Sequence, residues 1–310
     1  MLGTMHDDFW RSDAPALVQT TSWAGGEPHL VVLTDHGERL RAPIMNRRMA
    51  FRVQPDVRFC TGRFDAARPG DARHVPCDGR RTVTVGVQCE QCAQRDDSRF
   101  MHHVHRGGYV PESLTGYLAR PHWLYIATFA DGASKVGTAS ASRGRARLDE
   151  QGAVRATYIA RAADGTAVRV HEDAVTAETG IPQTKHRSSK AGSLTKPLSR
   201  ERLDGAHADA VEHARAFLQA SGLELALDPW EPPAQHAGFF TGDGVFGTYP
   251  HPLSRGEHCL TPTAVVGGVA LVTVNDDDAP LVVDLDALRG RRIAPADVRS
   301  PETMSQQSLF

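Results

Sequence analysis

The chain has 310 residues, 40% of them hydrophobic and 23% charged, with a formal net charge of -2. That length carries a sizeable core and two or three folded units, and the composition is that of an ordinary globular protein. The charge balance excludes a uniformly basic nucleic-acid coat, and no run approaches the roughly 20 apolar residues of a membrane span. No membrane partner is therefore expected.

Met1 to Trp10 is acidic and has no basic stretch leading into an apolar one, so no signal peptide is read there; Met5 is an alternative start. Five cysteines without an export signal suit a reducing, cytoplasmic setting, where clustered thiols hold metal more often than they pair.

Residues 1–58 read as a β-rich part, with strands at His29–Leu33 and Met49–Val53 and a turn at Asp35-His36-Gly37. Residues 59–108 are loop-like and hold four of the five cysteines. Cys89-Glu90-Gln91-Cys92 lets one turn of chain present two thiolates to one tetrahedral ion, and Cys77 and Cys60 complete a structural zinc set. His74, His102, His103 and His105 are alternatives to Cys60 as the fourth ligand. Cys259, far from the others, reads as a small buried hydrophobe.

Residues 121–200 begin with two short apolar runs around Ala130-Asp131-Gly132, the pattern of a hairpin. An arginine-dense helix with Arg143, Arg145 and Arg147 follows, then a strand at Tyr158-Ile159-Ala160 and a second helix with His171-Glu172. Between Ile181 and Leu203 there are six Lys or Arg against one acid, Glu201. Within that stretch Lys185, Arg187 and Lys190 are candidates for backbone-phosphate contact, as are Arg143 and Arg145. Residues 204–310 open with the clearest helix, Ala206–Ala220, capped by Gly222. Strands follow at 264–266, 269–274 and 281–285, and Glu302–Phe310 reads as a frayed tail. The two β-rich ends are expected to pack together as one discontinuous unit. No zinc-protease helix, phosphate-binding P-loop or G-x-S-x-G elbow is present.

The order of a tyrosine on a hairpin, an arginine on the next helix and one carboxylate on the helix after resembles the GIY-YIG nucleases. Tyr125 falls on the tyrosine of their first motif. Lys135-Val136-Gly137-Thr138 falls on the second, with lysine in place of tyrosine. Arg147 then corresponds to the helix arginine, although the interval from Gly137 is longer than in typical members, which keeps Arg145 and Arg143 open. Glu172 corresponds to the metal carboxylate. The run of Cys89-Glu90-Gln91-Cys92, Lys135-Val136-Gly137, Glu150-Gln151-Gly152-Ala153 and Gly247-Thr248-Tyr249-Pro250 further resembles an uncharacterised prokaryotic family of unknown function, from about Phe59 to Arg292. That family joins a cysteine-rich segment to a GIY-YIG-like core; this chain has fewer cysteines than its fuller pattern.

The resemblance implies an α+β protein: a GIY-YIG-like core with a small three-stranded sheet and flanking helices, a zinc-binding segment, and β-rich termini. It implies a metal-dependent endonuclease acting on DNA or RNA, with Tyr125, Lys135, Arg147 and Glu172 as catalytic residues. Magnesium or manganese would sit on Glu172, since Mg²⁺ takes few protein ligands and keeps its waters. Two alternatives stand beside it: a non-catalytic zinc-containing nucleic-acid-binding protein, and a zinc-stabilised interaction scaffold.

Overall fold

The computed structural model describes residues 9–65, 73–102, 104–107, 109–220, 225–242, 244–275 and 277–302. The Gly222 cap, nearly all of the C-terminal tail and the first eight residues lie outside them. The fold is mixed α+β.

In chain order the elements begin with β1 (Ala16–Ser22), β2 (His29–Thr34), β3 (Arg39–Pro43) and β4 (Met49–Val53). The cysteine-rich segment contributes a short ribbon, β5 (Arg63–Asp65) and β6 (Arg73–Val75), and the helices α1 (Glu90–Gln94) and α2 (Glu112–Leu118). The central part comprises β7 (His122–Thr128), β8 (Ser134–Ser140), α3 (Gly144–Gln151), β9 (Arg155–Ala162), α4 (Gly165–Thr179), α5 (Arg187–Ser193), α6 (Arg200–Ala220) and β10 (Leu225–Trp230). The chain closes with β11 (Gly247–Thr248), β12 (Gly256–Val266), β13 (Val269–Val274), β14 (Asp277–Asp284) and β15 (Arg292–Pro295).

Both ends enter one sheet, of nine strands among the described residues, in the order β11-β14-β13-β12-β4-β15-β1-β2-β3. Its long-range joints are antiparallel: Ala16 faces Ile293, and Phe51 faces both His258 and Pro295. The alternation of Met49, Phe51 and Val53 places these three side chains in a core shared with Val18, Leu30, Val272 and Ile293. Along β12 and β13 both faces are buried. Val265, Ala270 and Val272 join that core, while Ala264, Val266, Val269 and Leu271 pack against Ala130, Val154, Leu194 and Leu203.

The central sheet runs β10-β9-β7-β8, all antiparallel. It has four strands where the sequence predicts three. The added one, β10, contains Asp228-Pro229, which hides it from a strand pattern; proline is tolerated because β10 is an edge. One face is covered by α4 and α6, whose Val168, Val175, Ala214 and Leu218 meet Leu124, Ile126, Val136 and Ile159. Asp164 caps α4, its carboxylate accepting from the amides of Thr166 (2.8 Å) and Ala167 (2.7 Å), and Gly180 ends it in the left-handed region. The opposite face, with Tyr125, Ala139, Tyr158 and Trp230, is closed by Leu148 of α3.

The two sheets meet at a pair of glycines. Gly152 ends α3 at φ 71° and Gly267 turns β12 into β13 at φ 61°; a Cβ on Gly267 would stand 2.8 Å from the Cα of Gly152. Trp23 Nε1 donates to the Gly267 carbonyl at 2.8 Å from the sheet side. Gly267→Ala is expected to lower stability by about 1–3 kcal/mol, through left-handed strain and this contact. Denaturant unfolding checks it; an unchanged midpoint would mean the joint yields freely.

Candidate functional site

The four cysteines of the 59–108 segment converge. Cys60 follows the Phe59–Thr82 bridge, Cys77 opens the turn closed by the Arg80 amide on its carbonyl (3.0 Å), and Cys89 sits at the N-terminus of α1 with Cys92 one turn on. Their sulfurs all lie within 4.8 Å of one another, and each residue is no more than 8% exposed. Cys77 and Cys89 Sγ are 3.9 Å apart, close to the roughly 3.8 Å edge of a tetrahedron with metal–sulfur bonds near 2.3 Å. The amides of Cys89 (3.1 Å) and Gly62 (3.4 Å) donate to Cys60 Sγ, which favours the thiolate there.

Burial pushes the Cys60 and Cys92 thiols up, and neighbouring sulfurs push Cys92 further. Burial also acts on Cys89, but hydrogen bonds from the Cys92 amide and the other thiols outweigh it and bring it down to about 7. Four thiolates at this spacing require a cation, and a closed tetrahedral sulfur set can hold a metal ion such as structural zinc. The histidine alternatives are otherwise engaged: His74 Nε2 lies 2.6 Å from the Thr61 carbonyl and His105 Nε2 2.9 Å from Asp173 Oδ2. The His102 side chain and all of His103 lie outside the described residues. Cys259 is buried beside Ala50 and Val298.

A second constellation forms on the central sheet. On the hairpin, Tyr125 faces Gly137 across the β7–β8 ladder, and a Cβ on Gly137 would stand 2.5 Å from the Tyr125 Oη. Only a glycine leaves room for the phenol to lie across the strand. Tyr125 is fully buried and donates to Gln151 Oε1 at 3.0 Å. Arg147, one helical turn before Gln151, turns toward the same phenol. Lys135 stands two residues from Gly137 on the same strand face, its Nζ 5.7 Å from the centre of the Tyr125 ring. Glu172 is buried on α4, with Arg169 Nη1 2.8 Å from its Oε2.

These groups feel one another. Burial pushes the Tyr125 phenol up; Arg147 and the Gln151 bond pull it down, and Glu172 adds to the rise. Lys135 is brought down to about 7 by burial, then by Arg147 and Lys190, with Glu172 partly opposing. Lys190 falls to about 8 through burial and Arg147; its Nζ donates to the Gln151 carbonyl at 2.7 Å and lies 4.6 Å from the centre of the Phe129 ring. Burial raises Glu172 against the pull of Arg169 and Lys135.

Of the residues selected from sequence, Tyr125, Lys135, Arg147 and Lys190 lie on the α3 side of the central sheet, whereas Glu172 is carried by α4, which covers the opposite face, and reaches Tyr125 and Lys135 only through its charge. The other four go elsewhere. Arg143 pairs with Glu150 (2.8 Å), Arg145 donates to the Glu231 carbonyl (3.2 Å), Lys185 pairs with Asp131, and Arg187 pairs with Asp284 (3.2 Å). The Arg187 contact pins α5 to β14 beside a crevice of about 50 Å³ lined by Gln151, Lys190, Gly267 and Asp286. Gln151 and Arg169 were not singled out from sequence. Their signal is helical spacing alone, four residues after Arg147 and three before Glu172.

The cysteine segment also touches α4. Asp173, next to Glu172, accepts from Gln183 (2.7 Å), His105 (2.9 Å) and Arg106 (3.2 Å). Against the effect of burial, these donors hold its carboxyl down at about 2.

Fold and site together define an α+β protein with a four-cysteine cluster and a separate cationic cluster on a small antiparallel sheet. No protein-family model matches the chain, and neither a curated protein nor a solved structure matches it. Among the described residues no helix is long and apolar enough to cross a membrane.

Purified protein is expected to carry one zinc per chain by metal analysis, and Cys89→Ser/Cys92→Ser to lose both metal and thermal stability. Folded protein free of metal would remove the centre. Lys135 supplies a second measurement. Its folded pKa of about 7 lies below the ordinary lysine value of 10.5, so the unfolded chain binds the extra proton between these limits. The lysine therefore costs stability in full below pH 7, and that cost fades as pH rises toward 10.5. Lys135→Met should raise the thermal midpoint at pH 7, with a gain that shrinks at higher pH; a pH-independent gain would contradict the buried charge.

Proposed function

We propose that the chain is a metal-dependent endonuclease of the GIY-YIG type, hydrolysing nucleic-acid phosphodiesters. The observation that supports this reading is the meeting of Lys135 and Arg147 at Tyr125, with Lys190 beside both cations; the buried Glu172, on the helix over the other face of the sheet, is already neutralised by Arg169, and the buried Asp149 is held by Trp230. Partly buried cations that repel one another are stabilised by an anion, and a phosphodiester supplies one that gains charge in the transition state.

The residues then take distinct roles. Arg147 and Lys190 hold the non-bridging oxygens, the guanidinium through its planar fork. Tyr125, whose phenol keeps its proton, orients Gln151 and Arg147 rather than acting as a base. Lys135, neutral above about pH 7, takes the proton from the attacking water. Glu172 is the residue that would hold Mg²⁺ or Mn²⁺, an ion that stabilises the leaving oxygen. Its Oε2 carries Arg169 at 2.8 Å, so cation binding requires that ion pair to open.

The same ion pair, with the full burial of Tyr125, favours a second reading: a zinc-containing nucleic-acid-binding protein that keeps the site without cleaving. One assay separates the two. Labelled single- and double-stranded DNA and RNA are incubated with Mg²⁺, Mn²⁺ or chelator, using wild type, Glu172→Gln and Lys135→Met. The hydrolytic reading expects metal-dependent cleavage that rises with pH through about 7 as Lys135 loses its proton, while substrate binding weakens over the same range. Each variant should lose about 10²-fold or more in rate. Retention of substrate without cleavage under any metal assigns the second reading. Neither binding nor cleavage leaves a zinc-stabilised scaffold.

A further inference from the structure

Several arginines on the large sheet and its neighbours face carboxylates. Arg80 and Arg292 share Asp35, Arg52 pairs with Glu257 and Arg63 with Asp65. Arg39, Arg41 and Arg289 do not: among the described residues none has an ion pair. Arg39 and Arg289 meet instead at Gln19 of β1. Arg39 Nε donates to the Gln19 side-chain oxygen at 2.7 Å, and Arg289 Nε to its backbone carbonyl at 3.4 Å, both neutral acceptors. Arg41 stands two residues from Arg39 on the edge strand β3, on the same face, with Leu40 between them turned toward the core.

Basic residues on an edge strand commonly serve to block edge-to-edge pairing, and they do that best when solvated. These are half-buried and crowded. The Arg39 guanidinium is destabilised first by burial and then by Arg41, with only Glu150 opposing. The adjoining imidazoles are affected too: His29 and His74 are each brought down to about 4, chiefly by burial, with Arg39 adding to both. Beyond them Arg58 and Arg291 form another repelling pair, bonded to the carbonyls of Gly86 and Val57, and each keeps a buried Nε without a partner.

We propose that Arg39 and Arg289, which meet at Gln19, together with Arg41 beside Arg39, form a second anion-binding surface that grips the sugar–phosphate backbone of a nucleic acid whose scissile phosphate lies at Lys135, Arg147 and Lys190. The inference rests on the nucleic-acid reading of that site and names the face that carries the flanking strand. The two cationic groups adjoin. Glu150, the acid that Arg39 senses, is paired with Arg143 at 2.8 Å, and the next residue, Gln151, holds Lys190 on its carbonyl.

The test measures binding of a fluorescein-labelled oligonucleotide, single- and double-stranded, over a salt series. It compares wild type with the Arg39→Gln/Arg41→Gln/Arg289→Gln variant and with Arg41→Gln alone. Arg41 makes no hydrogen bond among the described residues, so its replacement leaves the fold intact if the triple variant unfolds. The triple variant should weaken binding about tenfold or more and flatten the log–log salt slope by about 2 to 3; Arg41→Gln alone should flatten it by about 1. Wild-type slopes in a folded variant, or a wild type that does not bind, overturn the surface. Loss of binding in the variants with no cleavage by any chain keeps the surface and overturns the hydrolytic reading, so the two fail separately.

Discussion

The β12–β13 ribbon is buried on both faces, and the rest of the molecule is arranged around that constraint. One face completes the core of the nine-stranded sheet; the other receives Ala130, Val154 and Leu203 from the central part. Because the ribbon's turn must pass against the end of α3, Gly152 and Gly267 come into contact with no side chain between them. Helix α3 carries Arg147 and Gln151. The position of the site's guanidinium is therefore tied to a sheet closed by strands from opposite ends of the chain. Such non-local pairings close large loops before they return any burial.

Charge gives the central unit its character. A phenol with no exposure and several cations share one face of the central sheet, and the nearest acids are already paired, Glu172 with Arg169 and Glu150 with Arg143. Lys190 is delivered by α5, which is pinned by Arg187 to Asp284 and thus to the large sheet. Glu172 is delivered by α4, and its neighbour Asp173 is held by His105 and Arg106 from the cysteine segment. Parts of the chain with different local structure thus place these groups on the two faces of one small sheet. The four-cysteine cluster is too distant in chemistry from these groups to act on them, but its segment is the anchor for one wall.

The cysteine set was readable because thiols are scarce and their spacing is a local property: Cys89 and Cys92 share one helical turn, and Cys60 completes the set without help from a histidine. Tyr125, Lys135 and Gly137 were readable for a similar reason, since a short hairpin fixes its own register and brings them face to face. Strand β10 was not, because Asp228-Pro229 erases the alternation that would announce it. Nor was Arg169, whose role appears only when Glu172 is seen to be buried and in need of a cation.

The amino-acid sequence by itself determined the mixed α+β character, the cysteine cluster and the hairpin bearing the tyrosine, since each depends on residue chemistry and short-range spacing. Only the tertiary structure decided which basic residues meet. From the sequence Arg147 is singled out only by resemblance, with Arg143 and Arg145 left open beside it, and nothing orders Lys185, Arg187 and Lys190. Burial and distant carboxylates sort them, drawing Arg143 to Glu150 and Arg187 to Asp284 while leaving Arg147 and Lys190 together beside Lys135. That choice is made by contacts between elements far apart along the chain, and no local pattern encodes it.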